Sequence, residues 1–431
     1  MQNNILLVDM NSFFASVEQQ ANPFLRGRVI GVGNSTGPTS CLVGTSREAK
    51  ALGIKNGISL AQARRICPEI IVLRAEPEKY REVCRRLNAI YRDYTDRVEA
   101  YSIDESFLEI SNALQVSAEI KRRIRQEVGE WLTCSIGVAS NKFLAKLASD
   151  MQKPDGLTMI YTSQLPEIYK TLKLSDLWGI GQGWTNRLVR LGIRTPNELM
   201  NYPVANLMAA FGKPGYYIWQ RINGLETDRI SDDKLQISNK SFGHSWVLSF
   251  RTTDKEKLKP VVLRLAEKAA RRMRAENLSA HGIYLTIRLT SGECLGKSQR
   301  LSEPIDTGLE FYGHALRLWA SWVFKAEVAH IACGFTFLSP RVRQLGLFNY
   351  PTRRYAAPSP ERGGNGYLTR SVRQQLSLLS GETDPDKVGI ERGSLTECLD
   401  SINNKYGEWT IRSGLITNGQ DYAPDSIAFG K

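Results

Sequence analysis

The stretch Tyr101-Ser102-Ile103-Asp104-Glu105-Ser106-Phe107-Leu108 places two adjacent carboxylates after an apolar, alternating approach. Successive side chains of a regular strand point to opposite faces, so Asp104 and Glu105 converge on one site only where the strand turns or bulges. An acidic pair of this kind is also typical of a solvated hairpin turn. On this stretch alone, both interpretations stay open.

A third carboxylate lies far upstream in the chain. Residues 5–9 predict a short buried strand that ends in Asp9. Mg²⁺ takes oxygen ligands, and it binds proteins through few carboxylates together with substrate phosphates. Three carboxylates at the ends of two apolar strands, Asp9, Asp104 and Glu105, therefore suit a magnesium site.

Composition sets the broad class of the protein. The chain has 431 residues, 42% hydrophobic and 23% charged, which indicates a globular protein. This length predicts about two to four domains. No apolar run is long enough to span a bilayer and the N-terminus lacks the features of a signal peptide, so we expect a cytoplasmic protein without a membrane partner. Seven scattered cysteines without a Cys-x-x-Cys pair favour reduced thiols over disulfides or structural zinc.

The formal net charge of +13 indicates a polyanionic partner. Residues 234–343 carry 18 Lys and Arg against 9 Asp and Glu, a net of +9, so most of the formal charge lies in this segment. Its cations cluster on a helix predicted at 263–274. A polar stretch without periodicity, 231–240, precedes it and reads as a linker. A basic domain after a linker offers sequence-independent phosphate contacts.

Strands and helices alternate over the first ~165 residues, which predicts an α+β arrangement. Either Asn11 or Ser12 is predicted to cap a helix that contains Phe13 and Phe14. Phe13 shares a face with a valine four residues later, which favours the core, whereas Phe14 lies about 100° around the helix and can face the same site as Asp9. The predicted strands are 29–32, 41–43, 134–139 and 157–161, and the predicted helices are 46–52, 78–94, 116–129 and 141–149.

Three motifs together resemble the Y-family translesion DNA polymerases. They are residues 9–18, 101–108 and 135–146, in the order and spacing of the family, and 153–156 follow where a fourth motif belongs. The resemblance covers about residues 4 to 348. The first motifs are similar to the polymerase IV-like members, whereas a tail helix predicted at 395–407 resembles the catalytic subunit of polymerase V (UmuC-like), so the subgroup stays open.

The resemblance implies an α+β multidomain, right-hand polymerase with a ferredoxin-like palm, small fingers, a helical helix-hairpin-helix thumb and an α/β little finger. The corresponding segments are 1–20 and 77–165 (palm), 21–76 (fingers), 166–230 (thumb), 231–240 (linker), 241–343 (little finger) and 344–431 (clamp-binding peptide and C-terminal tail).

Carried over residue by residue, Asp9, Asp104 and Glu105 match the catalytic, metal-binding carboxylates, and the carbonyl of Met10 is an additional ligand. The resemblance implies two Mg²⁺ ions that hold the primer 3′-hydroxyl and the incoming deoxynucleoside triphosphate. Asp9 and Asp104 are expected to bridge both ions and Glu105 to serve one. Phe14 matches the steric-gate aromatic that excludes a 2′-hydroxyl.

Phe13 is expected beside Phe14 in the nucleotide site. Lys153 matches a lysine that contacts the triphosphate, and Arg47 and Lys50 occupy positions that contact the β- and γ-phosphates. Here the sequence departs from the commonest Tyr-x-x-Arg pattern, and the lysine offers a point charge where an arginine would grip phosphate bidentately. Two solvated surface charges are the alternative for Arg47 and Lys50.

The partners implied are primer–template DNA, deoxynucleoside triphosphates and a sliding clamp. The expected DNA contacts are Gly179 and Gly181 of the helix-hairpin-helix element and Arg264, Arg271 and Arg272 of the basic domain. Residues 344–348 are similar to the clamp-binding peptide, and 375–379 are a second candidate. An accessory SOS subunit stays open, and a monomer is expected. The clamp anchors are Gln344, Leu345, Leu347 and Phe348.

The function implied is low-fidelity, template-directed DNA synthesis past lesions, as part of DNA repair and the SOS response. Only ~55 residues, 21–76, are left for the fingers ahead of the 78–94 helix, which is short for a large closing element that checks base-pair shape. One alternative is a catalytically silent DNA- and clamp-binding adaptor, which the three carboxylates disfavour. Another is the same palm with the chemistry of a nucleotidyl cyclase, which the basic domain and the clamp-like peptide disfavour.

Overall fold

The computed structural model describes residues 4–34, 37, 40–225, 230, 241–341, 392–407, 410–412 and 414. The chain divides into two compact units between Ser238 and Asn239, within the segment 231–240 that the sequence predicts as a linker. Each unit has its own sheet and its own hydrophobic core. Among the helices in the described ranges, none combines the length and the apolar character needed to cross a membrane.

A five-stranded sheet forms the centre of the first unit. Its strands are β1 (Asn4–Met10), β5 (Val98–Ala100), β6 (Glu105–Ile110), β7 (Cys134–Ala139) and β8 (Leu157–Met159), in the order β5-β6-β1-β7-β8. Neighbours are antiparallel except β7 and β8, which are parallel. Along β1, Leu6 and Val8 face one apolar cluster and Ile5 and Leu7 face another, as the alternation of a strand requires.

A smaller sheet has the order β3-β2-β4, with β2 at Ile30–Gly33, β3 at Leu42–Thr45 and β4 at Ile71–Arg74. Two short helices, α2 (Arg47–Ala51) and α3 (Leu60–Ile66), complete this region. The Ser46 side chain accepts from the Ala49 N–H and so caps α2. The sequence predicts two of these three strands; β4 was not predicted.

The remaining helices of the first unit fall into two groups. Those around the central sheet are α1 (Phe13–Ala21), α4 (Pro77–Arg92), α5 (Ala113–Arg123), which a π-helical turn continues to Val128, and α6 (Lys142–Met151). The segment after the sheet is helical throughout, with α7 (Leu165–Lys170), α8 (Gln182–Arg190), α9 (Pro196–Asn201), α10 (Val204–Phe211) and α11 (Lys213–Ile222). Short 3₁₀ turns lie at Pro23–Leu25, Thr162–Gln164 and Leu174–Asp176.

The predicted cap of α1 is right in position, but the side-chain hydrogen bond of a cap is absent. Ser12 takes the N-cap position with a φ of 48°, in the left-handed region, and its side chain makes no capping hydrogen bond. The Asn11 side chain instead donates to the Ser135 hydroxyl (3.0 Å) and accepts from the Asp155 N–H (2.8 Å). Asn11 therefore ties the start of α1 to β7 and to the turn after α6.

The second unit has an antiparallel sheet of order β11-β10-β12-β9, covered on one face by two helices. Its strands are β9 (Ser241–Thr252), β10 (Leu278–Leu289), β11 (Cys294–Ile305) and β12 (Val328–Pro340), and its helices are α12 (Lys255–Ala275) and α13 (Gly308–Trp319). The Asp254 side chain accepts from the Glu256 N–H, so α12 begins well before the predicted 263.

One more helix of the second unit, α14 (Arg392–Tyr406), is held by charged groups. The Arg274 guanidinium of α12 donates to both oxygens of Asp400 at 2.7 and 2.8 Å. Arg341, directly after β12, donates to Glu397 at 3.1 Å. This bidentate pair, with an arginine only 4% exposed, fixes α14 on the cationic side of α12.

Candidate active site

The turn between β5 and β6 brings the acidic pair next to the end of β1. The N–H groups of Tyr101 and Ser102 both donate to the Glu105 carbonyl, and the Met10 N–H donates to the Asp104 carbonyl at 2.9 Å. Asp9 and Glu105 are direct partners in the register of β1 and β6. The turn required by the sequence is therefore present. Asp9 is buried, at 5% exposed, whereas Asp104 and Glu105 of the turn are half-buried.

A pocket of ≈ 650 Å³ opens at this edge of the sheet. All nine residues expected to bind metal or nucleotide line it, although they come from separate parts of the first unit. They are Asp9, Met10, Phe13, Phe14, Arg47, Lys50, Asp104, Glu105 and Lys153. The remaining lining residues are Asn11, Ser12, Val43, Gly44, Thr45, Ala51, Asn56, Ser102, Ile103, Lys146 and Pro154.

Two lysines contact the carboxylates directly. The Lys146 ammonium donates to Asp9 Oδ2 at 2.7 Å and to Glu105 Oε1 at 2.6 Å. The Lys153 ammonium donates to the same Asp9 oxygen at 2.6 Å and pairs with Asp150 at 2.7 Å. One oxygen of Asp9 therefore accepts from two ammonium groups, and the pocket concentrates charges of both signs.

Burial and these lysines act in opposite directions on the carboxyl pKa values. At Asp9, burial raises the pKa, but the charges and hydrogen bonds of Lys146 and Lys153 outweigh it, and the pKa lies below its usual value. Burial dominates at the other two carboxyls. The pKa of Asp104 is raised despite a hydrogen bond from Ser102, and the pKa of Glu105 is raised despite Lys146. The lysines thus neutralise the acidic cluster only in part.

The cations of α2 line the side of the pocket next to the smaller sheet, and the acidic cluster acts on Lys50 as well. Burial lowers the pKa of Lys50, and the charge of Lys153 lowers it further, while Asp9 and Asp104 oppose the shift. The Arg47 guanidinium lies over the Trp131 ring, 5.6 Å from its centroid. Arg47 and Lys50 thus line the pocket from the two ends of α2, Arg47 half-buried and Lys50 exposed.

Close backbone contact sets the position of Lys146. A Cβ atom at Gly137 of β7 would lie 2.0 Å from the Ala145 carbonyl oxygen and 2.4 Å from the Ser149 nitrogen, both on α6. The absence of a side chain therefore lets α6 rest directly on the sheet. On the same helix, Lys142 pairs with Glu99 at 2.6 Å. The helix thus directs two half-buried cations to carboxylates on three strands, β1, β5 and β6.

Two family models match the chain. The impB/mucB/samB family matches residues 8–150, and the impB/mucB/samB family C-terminal domain matches residues 239–347. DNA polymerase IV 1 of Bacillus subtilis (strain 168) is 33% identical over 434 residues, which cover 99% of this chain and 96% of that protein. DNA polymerase IV of Moorella thermoacetica is 36% identical over 390 residues, 87% of this chain and 96% of that protein.

The chain belongs to the Y family of DNA polymerases. A solved structure agrees on the fold: a Y-family DNA polymerase chimera of Dbh and Dpo4 superposes with a TM-score of 0.69 at 23% identity, covering 78% of this chain and 99% of that one. The predicted α+β polymerase fold is confirmed. The alignment with the Bacillus protein covers nearly the whole chain, so this Y-family polymerase shares its C-terminal tail with a relative named DNA polymerase IV.

The expected DNA-contact residues of the Y-family chain lie in two different settings. Gly181 is the N-cap of α8, and Gly179 has a φ of 84°. No atom lies within 4 Å of a Cβ built at either glycine, so their backbone is open on one side. The arginines of α12 differ, since Arg264 is 5% exposed, Arg271 contacts Asn404 of α14, and Arg272 contacts the Gly243 carbonyl.

A phosphate contact needs an exposed guanidinium, and the burial of Arg264 does not fit that role. Arg271 and Arg272 are half-buried, and their contact with DNA stays a prediction. The charge count of the sequence was correct, but it does not tell which cations a later helix covers. The clamp-like segments 344–348 and 375–379 lie outside the described residues.

Lys146 is the functional candidate that sequence reasoning missed. It stands in the 135–146 motif, four residues after Lys142, and shares its helical face. Two lysines on the face of an otherwise apolar helix after a buried strand are a signal, because buried ammonium groups need carboxylate partners. Asn11 was missed as well, since its pattern resembles a helix cap.

Proposed function

We propose that this chain is a template-directed DNA polymerase that copies past lesions, transferring a nucleotide from a deoxynucleoside triphosphate to a primer 3′-hydroxyl. The observation that carries the proposal is the pocket itself. It brings together three strand-end carboxylates, the cations of α2 and two aromatic rings, in a chain of the Y family. Lys146 and Lys153 pair directly with the carboxylates. A pocket with charges of both signs suits a triphosphate.

Y-family polymerases are metal-dependent, and we propose Mg²⁺ bound by Asp9, Asp104, Glu105 and the Met10 carbonyl. In the part of the chain that the structure describes, no three His, Cys, Asp or Glu side chains are close enough to hold an ion. Lys146 lies between two of the carboxylates and supplies positive charge there. The donor set is all oxygen, as Mg²⁺ prefers. Two such ions would activate the primer oxygen and neutralise charge on the triphosphate.

The chain's own residues would then bind and orient the nucleotide. Lys153, Lys50 and Arg47 offer three cations on the rim of the pocket for the phosphates. Lys146 would hold the carboxylates of Asp9 and Glu105 at a fixed distance from each other. Phe14 would press on the sugar and leave no room for a 2′-hydroxyl, with Phe13 beside it at 5.6 Å between ring centroids.

For the DNA we propose two surfaces. The first is the open backbone at Gly179 and Gly181, which leaves N–H groups for a phosphate. The second is the sheet face of the second unit that α12 and α13 leave uncovered. The register places Tyr284 opposite Gly334, with Arg288 farther along the same face. The Tyr284 ring covers Gly334 and Gly243, and the exposed Arg288 supplies charge for a phosphate.

Primer extension tests the catalytic proposal. We expect Asp104→Asn to lower primer extension by about 10³-fold while the affinity for primer–template DNA changes little, because the carboxylate acts on the reacting groups and not on the duplex. The matched control is Glu119→Gln, an exposed carboxylate of α5 that pairs with Arg122. Extension by Asp104→Asn at the control's rate would refute the catalytic role of Asp104, whereas no extension by the parent protein would support the adaptor in place of the polymerase. Templates with and without a lesion, in Mg²⁺, test the translesion part.

The same assay tests the proposed partners. We propose that residues 344–348 bind a sliding clamp, because a glutamine and three apolar anchors follow the second unit's sheet domain. Replacing Leu347 and Phe348 by alanine should remove clamp stimulation and leave basal synthesis intact. Equal stimulation of both proteins would contradict the assignment. Primer extension by the purified chain alone would show that no accessory subunit is required for synthesis.

A further inference from the structure

The ring of Phe14 is held from two sides. Phe14 is the second residue of α1, and it is 5% exposed although it lines the pocket. On one side, the Tyr80 ring of α4 meets it edge-on with 4.9 Å between centroids. On the other side lies Gly44 of β3. The position of the ring therefore depends on what these two neighbours permit.

Tyr80 itself is fixed by α1. Its ring is fully buried, and its hydroxyl donates to Glu18 Oε1 at 2.5 Å. The other Glu18 oxygen accepts from the Lys79 ammonium at 2.8 Å. Glu18 lies one helical turn after Phe14, so the helix that carries the Phe14 ring also anchors the tyrosine that supports it. Burial, and then the Glu18 hydrogen bond, raise the pKa of Tyr80, so its hydroxyl stays a donor.

Gly44 closes the opposite side. A Cβ atom at this position would lie 2.8 Å from Phe14 Cβ and 3.1 Å from its Cδ2. The φ of Gly44 is not among the positive values of the described glycines, so the backbone itself would accept another residue. The close approach of Phe14 is what excludes a side chain. Because Phe14 Cβ is fixed to α1, rotating the ring does not relieve this contact.

We infer that Gly44 and Glu18 are positioning residues that set sugar selectivity by fixing the Phe14 ring between β3 and Tyr80. This inference rests on the proposed role of Phe14 as the sugar gate. With Tyr80 anchored, the ring has no space to retreat, so any atom added at Gly44 pushes it toward the nucleotide. When the anchor is lost, the ring gains space and the gate loosens.

Gly44→Ala tests the first half. Single-nucleotide incorporation should show a KM for the deoxynucleotide raised about tenfold with kcat little changed, because the displaced ring narrows the sugar site. Gly31→Ala is the matched control. It adds the same atom to the neighbouring strand β2, where a Cβ would lie 2.8 Å from the flexible Leu42 Cδ1 in a separate core. Equal KM values for the two variants would overturn the inference.

Variants at Glu18 test the second half of the inference, that the gate loosens when the Tyr80 anchor is lost. This test does not depend on whether Gly44→Ala folds. Glu18→Ala removes the acceptor of the Tyr80 hydroxyl, and ribonucleotide use relative to deoxynucleotide use should rise about fivefold. Glu18→Gln retains an acceptor oxygen and should restore the original selectivity. A structural role alone would lower the stability of both variants and leave the selectivity ratio unchanged. The same ratio for Glu18→Ala and Glu18→Gln would therefore overturn the inference.

Phe14→Ala separates this inference from the proposal beneath it. If Phe14→Ala leaves ribonucleotide use unchanged, Phe14 is not the gate and the proposed role fails. If Phe14→Ala raises ribonucleotide use while the Gly44 and Glu18 variants behave like their controls, the gate stands and the inference fails. The inference is supported when all three positions shift selectivity and Gly31→Ala does not.

Discussion

Two helices of this chain, α6 and α12, carry buried cations on sheets, and they differ in what neutralises those cations. In the first unit, Lys146 of α6 faces Asp9 and Glu105 at a pocket. In the second unit, Arg274 of α12 faces Asp400 of α14. Both pairs satisfy the rule that a buried charge needs a partner. The first pair lies where a substrate can enter, whereas the second is closed by another helix.

The difference teaches how a basic sequence should be interpreted. A buried lysine or arginine can take part in ligand binding only where its partner is accessible. Under the proposed metal binding, the carboxylates beside Lys146 would exchange the ammonium for a metal ion, because the pocket is open. Asp400, the carboxylate beside Arg274, lies on α14, which closes the pair, so a metal ion cannot replace the guanidinium there. Three measurements distinguish the open pair of α6 from the closed pair of α12.

The largest loss of stability is expected on replacing Lys146. Lys146→Met leaves Asp9 and Glu105 without their shared cation, and breaking a buried pair costs about 3 kcal/mol of the free energy of unfolding. Because Mg²⁺ can take the place of the ammonium, the added ion should stabilise this variant more than it stabilises the parent protein. Thermal unfolding with and without Mg²⁺ measures both effects.

The matched control is Lys142→Met on the same helix, whose partner Glu99 does not line the pocket. It should lose stability as well, but Mg²⁺ should not compensate. If Mg²⁺ stabilised both variants equally, the exchange of lysine for metal would be refuted and the two buried pairs of α6 would be equivalent.

A smaller effect is expected at Asp400. Asp400→Asn removes the charge that the buried Arg274 faces, and we expect a loss of about 2 kcal/mol in the second unit. Hydrogen exchange should accelerate along α14, because its main anchor is gone. Lys259→Ala, which breaks an exposed pair with Glu256 on α12, is the control and should leave that exchange unchanged. Unchanged protection of α14 in Asp400→Asn would show that other contacts hold the helix.

The smallest effect is expected on the open sheet face. Arg288→Gln should weaken DNA binding to a similar extent for all sequences and lower the salt dependence by about one phosphate contact. Arg271→Gln on α12 should do neither, because Arg271 contacts α14. Binding titrations over a range of salt concentrations decide between the two faces. The reverse pattern would restore α12 as the DNA surface.

The pocket was predictable from sequence to a large extent, because its residues follow strand ends and helix starts. The position of Asp9 after a buried run, and the turn at Asp104, place carboxylates at one sheet edge by strand geometry. What the sequence did not reveal is which side chain neutralises which. Lys146 and Asp9 are joined by a contact of high sequence separation, and no local pattern records it.

The same reason limits the prediction for α12. Its arginines have the spacing of an exposed cationic face, but Arg264 is buried, and α14 contacts Arg271 and Arg274. The side-chain bond of the α1 cap is absent for a related reason, since Asn11 is used across the sheet by Ser135 and not by its own helix. Local propensity was outweighed in each case by a partner distant in the chain.

The glycine beneath α6 limits which sequences can build this pocket. Position 137 has no free volume, since its missing Cβ would overlap backbone atoms that cannot rotate away. A saturation library at this codon, selected for activity, should therefore return one residue type, whereas the neighbouring helix positions that face solvent should tolerate many. Sequence diversity in this region is thus set by the spacing between two backbones, before any question of chemistry arises.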